Sequence, residues 1–438
     1  MKSVAVLGAG ESGVGAALLA QKEGLKVFVS DFGEIPEKYK EELIKNKIPF
    51  EEKGHSFEKL EKANVIIKSP GIPEDADVIQ HFRLRQTKII SEIEWASRFF
   101  KGKIIGVTGS NGKTTTASLI YHLIRDEEYN VGLTGNIGTS MARILCSDTN
   151  YNWLVVELSS FQLDDIYEFE VDVGIILNIS PDHLDRYDYD INKYADSKWR
   201  LAKAIKPGGH LILNKEDQMI NERLQYFKAE VNIHRLSADF PMTSLSSKDD
   251  NVSFEIKLKG RHNLFNAAIA IKVSQLLGIP DSRISERIAS FTAIPHRLEP
   301  VGVINNVEYI NDSKATNVDS AIFALEAMEH PVIWIAGGTD KGNNYEDLIP
   351  EVRSKVKILI CLCRNDSKLK STFHDFVGTI YSTKDMKDAV NFAYQNAMPG
   401  DVVLLSPACA SFDLFDNYIH RGEEFKKVVL NFLSESIN

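Results

Sequence analysis

The sequence predicts an α/β protein of three domains, each organised on a mostly parallel sheet. Three observations carry this. The chain has 438 residues, more than one core of ordinary size accommodates, so two to three domains are expected. Apolar runs of strand length alternate with helix-like stretches, the pattern of βαβ units. Several of those runs end in glycine-rich or polar turns, which is where open α/β sheets bind ligands. The divisions expected are 1–91, 92–294 and 295–438.

Composition sets the outer limits. Hydrophobic residues make up 43% and charged residues 26%, the balance of an ordinary globular protein. Lys plus Arg number 51 against 61 Asp plus Glu, a formal charge of −10. Broad nucleic-acid binding is therefore not expected, although a local basic pocket for an anionic substrate is compatible with it. Cys146, Cys361, Cys363 and Cys409 fit neither a zinc spacing nor a disulfide scaffold, so a reducing, cytoplasmic setting is expected. No apolar run approaches the ~20 residues of a membrane span. The opening MKSVAVLGAG reads as a strand rather than a signal peptide.

The first segment begins with the strand Val4 to Leu7, then Gly8, Gly10 and Gly13, a helix-like stretch and a second run ending in Asp31. Glycines for a tight turn, with an acid ~20 positions on for a ribose hydroxyl, mark a Rossmann-like unit that binds a diphosphate nucleotide. Asp31 capping a turn is the simpler alternative. A buried strand, Val65 to Ile67, then ends in the turn Ser69-Pro70-Gly71. Ile90 to Phe100 reads as an amphipathic helix leading into the next domain.

The central segment contains KIIGVTGSNGKTTT, residues 103–116. An apolar strand runs into Gly109 and Gly112, and Lys113, Thr114 and Thr115 open a helix. This is a phosphate cradle: backbone N–H groups point inward and the helix N-terminus adds partial positive charge. Lys113 reaches the terminal phosphates and the Thr114 hydroxyl suits Mg²⁺. Val107 stands where the usual glycine would be, so the loop is a shortened P-loop and the domain is P-loop ATPase-like. An ordinary strand–turn–helix is the alternative.

Further strands deliver Asn136 and then Glu157, a carboxylate one strand from the loop and an expected partner of Mg²⁺. VGIILNISPDHLDRY repeats the pattern and ends in Asn178, Ser180, Asp182 and His183. A lone histidine is more often structural; its place at the same sheet end as Glu157 favours a ligand or phosphate role. INKYADSKWRLAKAI reads as a helix with Tyr194, Ala195, Trp199 and Ala202 on one stripe and Lys198 beside it. By itself a lysine there reads as a solvated surface charge. Asn263 and Asn266 lie three apart on an apolar helix and suit an adenine edge, though capping alone explains Asn263.

Pro295 and Pro300 bracket His296, Arg297 and Glu299, a linker into the third domain with Arg297 available to a phosphate. Beyond it, strands alternate with helices and predict a second Rossmann-like, parallel sheet. The strand ends carry Asp312, Lys314 and Thr316, then Asp340 and Lys341, then Ser406 and Ser411. That is more polar chemistry than a core requires.

Taken together, GVTGSNGKTTT, TGNIG, VELSSFQL, NISPDHLDRY, YADSK, GRHNLFNAAIA, HRLE, NDSKATN, GGTDKG and LLSPACASFDLF resemble the Mur ligases, ATP-dependent amide-forming enzymes of peptidoglycan assembly. They occur in the family's order and extend through all three domains. NDSKATN is the most specific and resembles the branch that adds D-glutamate. The resemblance implies ATP, with Gly109, Ser110, Asn111, Gly112, Lys113, Thr114 and Thr115 on its phosphates and Asn266, Arg297 and Asp312 on its base, phosphate and ribose. It implies two Mg²⁺, one held by Thr114 and Glu157 and the other by His183 and Lys198, the lysine carbamylated.

The resemblance further implies UDP-N-acetylmuramoyl-L-alanine as substrate, contacted by Gly10, Glu11, Ser12, Asp31, Ser69, Gly71 and Asn136. D-Glutamate is implied at Lys314, Thr316, Lys341, Ser411 and Tyr418. Phe32 and Gly33 replace a polar pair that some members carry after the acid, which leaves the uracil contacts open. A monomer without nucleic-acid or membrane partners is expected. The alternatives are another amino-acid-adding Mur or folylpolyglutamate-type ligase and, from a different class, an NAD-dependent oxidoreductase. The latter explains Gly8, Gly10, Gly13 and Asp31 but leaves the phosphate loop, Glu157 and His183 without a purpose.

Overall fold

The computed structural model describes residues 3–126, 129–239, 252–292, 294–340 and 342–436. Its strands form three sheets, and by internal contacts the chain makes two compact bodies. One comprises Met1–Phe254 with Asn266–Ile288, the other Glu255–Phe265 with Ala289–Asn438.

The first body holds two sheets. In one, β1 (Ser3–Leu7), β2 (Lys26–Ser30), β3 (Phe50–Glu51), β4 (Val65–Lys68) and β5 (Ile89–Ser91) lie in the order β3-β2-β1-β4-β5, all parallel. The other is built from β6 (Lys103–Thr108), β7 (Val131–Gly135), β8 (Trp153–Glu157), β9 (Val171–Ile176), β10 (Ile205–Asn214) and β11 (Asn232–Leu236), ordered β11-β10-β9-β6-β8-β7 and again parallel. Their central strands are predominantly apolar and buried, as parallel sheets covered on both faces are. Register decides what meets at the carboxyl edge: Val107 and Gly135 both pair with Glu157, and Thr108 pairs with Ile176.

The second body holds β12 (Glu299–Ile304), β13 (Val307–Asn311), β14 (Val332–Ala336), β15 (Val356–Leu362), β16 (Thr379–Thr383) and β17 (Val402–Leu405). Their order is β12-β13-β17-β14-β15-β16. One core cluster lies on each face, around Trp334 and Phe373 on one and around Tyr309 and Phe425 on the other.

Three expectations need correction. The third sheet is not wholly parallel: β12 and β13 pair antiparallel at its edge. Asn305 and Asn306, both with positive φ (50° and 62°), close the two-residue turn that a hairpin's twist demands. The stretch Ile90 to Phe100 is not one amphipathic helix. Ile89–Ser91 is a strand, the helix is Glu92–Ser97, and Glu92 through Ala96 are all buried. Its carboxylates are inside because backbone N–H groups meet them. Glu94 Oε2 accepts from Tyr167, Glu168 and Phe169, and Glu92 Oε1 from Ala142. Finally, Lys198 is no surface charge: it is 1% exposed.

Candidate active site

At the first sheet's carboxyl edge the glycine turn is shaped by close packing. Gly8 has φ +86°, and a Cβ on it would lie 2.7 Å from Ser69 Oγ; a Cβ on Gly13 would lie 1.8 Å from Gly8 O. Neither position admits a side chain. Gly10, by contrast, faces open space and precedes the helix Glu11–Lys22, whose N-terminus has no side-chain cap. Uncapped N–H groups at a helix start suit an anion. Asp31 is occupied locally, its Oδ2 accepting from Ala9 N at 2.6 Å and its Oδ1 from Gly33 N at 2.8 Å, so it caps the turn whatever else it binds. Glu11 turns its carboxylate to Ser140 N and Arg143 Nε, which leaves its backbone at the turn. Ser12 is half-buried and Gly71 exposed; Ser69 Oγ donates to Gly8 O.

The phosphate loop of the second sheet has its glycines where only glycine fits. Gly109 (φ +154°) would bring a Cβ to 2.9 Å from Leu177 Cβ, and Gly112 (φ +84°) to 2.7 Å from Asn266 Oδ1. Asn178 brackets the loop, accepting from Asn111 N at 2.8 Å and donating to Asn111 O at 3.2 Å. Ser110 Oγ joins Ser180 in the same way. Lys113 Nζ folds over the loop onto Gly109 O and Ser110 O, at 2.7 and 2.8 Å. Thr114 and Thr115 are buried in the first turn of the helix Lys113–Ile124. Asn266 Oδ1 accepts from Thr116 Oγ1 at 3.2 Å, whereas Asn263 caps backward onto Lys259 O.

Glu157 is 2% exposed and takes a hydrogen bond from Asn136 Nδ2 at 3.0 Å. Lys198 comes from the helix Ile191–Lys203, donates to the same Gly109 O as Lys113, at 2.9 Å, and sits 4.3 Å from the Tyr194 ring centroid. Burial first, then the nearby Lys113, push its amine well below the usual lysine range, against Asp182 and Asp164. Desolvation therefore outweighs the acids. His183 adopts φ +53° at the head of the single turn Leu184–Arg186, with Asp182 Oδ2 at 3.7 Å from its Nε2.

In the second body, Asp312 accepts from Ser406 Oγ at 2.9 Å and Leu298 N at 3.2 Å, and burial pushes its carboxyl up to about 7 despite Ser406 and Arg297. Lys314 Nζ lies 5.3 Å from the Tyr418 ring centroid, Thr316 N donates to Lys314 O, and Ser411 is buried. Arg297 is half-buried. Lys341 lies outside the described residues.

Sequence reading missed the residue that holds the loops of the second body. Arg421, 1% exposed, donates to Ser313 Oγ and O, Cys409 O and Gly337 O, bracing the strand ends that carry Lys314, Asp340 and Ser411. Asn178, already singled out at its strand end, does the same for the phosphate loop. Arg421 lies beyond the last motif singled out, and a residue that serves backbone carbonyls has no spacing rule to betray it.

This arrangement, a phosphate loop flanked by a strand-end carboxylate and a buried lysine, matches known domains throughout. Residues 3–78 match the MurD N-terminal domain, 107–274 the Mur ligase middle domain and 296–409 the Mur ligase glutamate ligase domain. The chain belongs to the Mur ligase family. Within it, the chain is 45% identical to the UDP-N-acetylmuramoylalanine–D-glutamate ligase of Christiangramia forsetii over 98% of this chain and 99% of that protein. It is 41% identical to the enzyme of the same name from Bacteroides thetaiotaomicron, again over 98% and 99%. The solved UDP-N-acetylmuramate-alanine ligase of Thermotoga maritima shares the fold, with a TM-score of 0.62 at 17% identity over 99% of this chain and 100% of that one. So does a bifunctional folylpolyglutamate/dihydrofolate synthase of Yersinia pestis, at 0.57 and 14% over 78% and 93%.

Proposed function

We propose that this Mur ligase joins D-glutamate to UDP-N-acetylmuramoyl-L-alanine using ATP, with one domain for each of residues 1–91, 92–294 and 295–438. The observation that carries the chemistry is that Lys113 and Lys198 both reach Gly109 O of the phosphate loop, with Glu157 ending the strand paired to the one that leads into it. The extensive likeness to D-glutamate-adding relatives supports the choice of substrates. A carboxylate activated by ATP becomes an acyl phosphate, the amine of D-glutamate attacks its carbonyl, and phosphate departs from the tetrahedral intermediate. The difficulty is bringing a carboxylate against a γ-phosphate. At ~4 Å and an effective dielectric of ~20, each opposing charge is worth about 4 kcal/mol before desolvation.

Lys113 supplies one such charge, releasing Gly109 O and Ser110 O to do so, while the N-terminus of its helix, which has no side-chain cap, serves the phosphates. The donors fit two Mg²⁺ only conditionally. The Thr114 hydroxyl and the buried Glu157 carboxylate are hard oxygen donors and suit one ion. Lys198 as an amine beside Lys113 does not suit a cation; as a carbamate it offers oxygen, and with His183 it would hold the second. Burial favours that modification, since only a neutral amine adds to CO₂. Bound Mg²⁺ would neutralise charge between the γ-phosphate and the substrate carboxylate. Gly10, Glu11, Ser12, Asp31, Ser69, Gly71 and Asn136 serve the UDP-linked substrate in this reading, and Asn266, Arg297 and Asp312 the nucleotide. Lys314, Thr316, Lys341, Ser411 and Tyr418 serve D-glutamate.

The test is coupled ADP release with UDP-N-acetylmuramoyl-L-alanine and Mg²⁺ across a panel of amino acids. Release that requires D-glutamate and ignores L-glutamate is expected. Release with another amino acid alone, or none, overturns the assignment.

A further inference from the structure

We infer that Arg186 is the positioning residue that ties the substrate turn Ser69–Ile72 to the His183 loop, so that seating the UDP-linked substrate fixes His183. This rests on the proposed function for what Ser69, Gly71 and His183 face; the tie itself is geometric. Arg186 Nη2 donates to Ile72 O at 3.0 Å and Nη1 to Gly71 O at 3.4 Å, the last two carbonyls of the turn that follows β4. The same guanidinium lies over Phe161, 4.5 Å from the ring centroid. Phe161 in turn meets His183 edge to face, with centroids 5.2 Å apart at 70°, and stacks on Tyr187 at 5.9 Å and 9°.

The loop between these contacts has little slack. Arg186 N donates back to His183 O, closing one turn, and Tyr187 Oη anchors that turn on Asp164 at 2.9 Å. His183, with a positive φ in a position that favours glycine or asparagine, has its backbone set by this turn and its ring set by Phe161. A planar fork can give two parallel donors while presenting its face to a ring, which an ammonium cannot. Arg186 uses both faces of that chemistry and neutral carbonyls only; no acid pairs with it among the described residues.

Docking of the two sheets does not need Arg186. Lys68 pairs with the buried Asp165 at 2.6 Å, Arg83 joins the same carboxylate, and Glu11 pairs with Arg143 at 2.8 Å. Those ties hold the first and second sheets together without Arg186. What remains specific to Arg186 is the register between the substrate turn and the His183 ring.

The experiment compares the parent, Arg186→Ala, Arg186→Lys and Phe161→Leu in EDTA, so that no metal contributes. Calorimetric titration with UDP-N-acetylmuramoyl-L-alanine gives affinity, and amide hydrogen exchange of residues 182–187 gives order. In the parent, substrate is expected to slow exchange in that segment at least tenfold. Arg186→Ala should bind 10- to 100-fold more weakly and show no slowing, with a Tm within about 2 °C of the parent; Arg186→Lys should recover part of the affinity. Phe161→Leu keeps the carbonyl contacts and breaks the link to His183, so affinity should stay within threefold while the slowing is lost. Parent-like affinity and slowing in Arg186→Ala overturn the inference. A parent that does not bind the substrate overturns the functional reading, and this inference falls with it.

Discussion

Two lysines hydrogen-bond to a single carbonyl, Gly109 O, and the difference between them shows what a sequence does and does not reveal. Lys113 was legible because the phosphate loop is a contiguous pattern with a mechanical reason for each position. Lys198 was not: helical spacing placed it beside an apolar stripe, and only the packing of Tyr194 and the loop around it shows that it is buried. Asp31 and Glu11 are opposite cases, chemically suggestive in the sequence yet partly committed to Ala9, Gly33, Ser140 and Arg143 in the fold. For Lys113→Ala we expect ADP release to fall by at least 10³-fold with the Tm little changed, since the lost charge–phosphate interaction is on the order of 4 kcal/mol; near-parent turnover would contradict the cradle. For Lys198 we expect ¹³C-bicarbonate to give a carbamate signal that Lys198→Ala lacks, together with lost activity.

Glu92 makes a residue-scale prediction about stability. Burial pushes its carboxyl up to about 7, opposed by the Ala142 N–H and assisted by Glu11, and its Oε2 has no hydrogen-bond partner. A carboxyl whose folded pKa is raised stabilises the fold fully only below its unfolded value near 4.5, and that contribution is lost as pH rises through about 7. The loss is on the order of 3 kcal/mol. Glu92→Gln should therefore remove a fall in stability between pH 5 and 8 and exceed the parent at pH 8. Parallel pH profiles in denaturant melts would show that Glu92 does not ionise there.

At the scale of elements, the apolar strands were readable and the polar edge strands were not. VIWIA and VVLL announce themselves, while β16, TIYST, and the two-residue β3 carry no apolar run; their places come from backbone pairing with neighbours alone. The hairpin of β12 and β13 was half legible: both strands could be read, but not their antiparallel pairing, although Asn305-Asn306 is the cue. Left-handed backbone costs an ordinary residue about 1–2 kcal/mol, so Asn305→Ala and Asn306→Ala should each lower stability by about 1 kcal/mol, with Asn306→Gly near the parent. Equal melts for Ala and Gly at position 306 would mean that the turn relaxes into another form.

For the whole molecule, the first body contains two sheets and the second one, each body with its own core, which is the condition under which a single unfolding equilibrium fails. Trp95, Trp153 and Trp199 lie in the first body and Trp334, 0% exposed, in the second. With the first three replaced by Phe, the emission of Trp334 reports the second body alone. We expect two thermal transitions, only one of them followed by Trp334. The UDP-linked substrate, whose proposed contacts all lie in the first body, should raise the other transition: at about 100 times Kd linkage gives ~2.7 kcal/mol, or on the order of 5 °C for a body of this size. If calorimetry and Trp334 instead trace one coincident transition that moves as a unit with substrate, the bodies are one cooperative structure, and substrate binding in the first is felt by every strand end of the second.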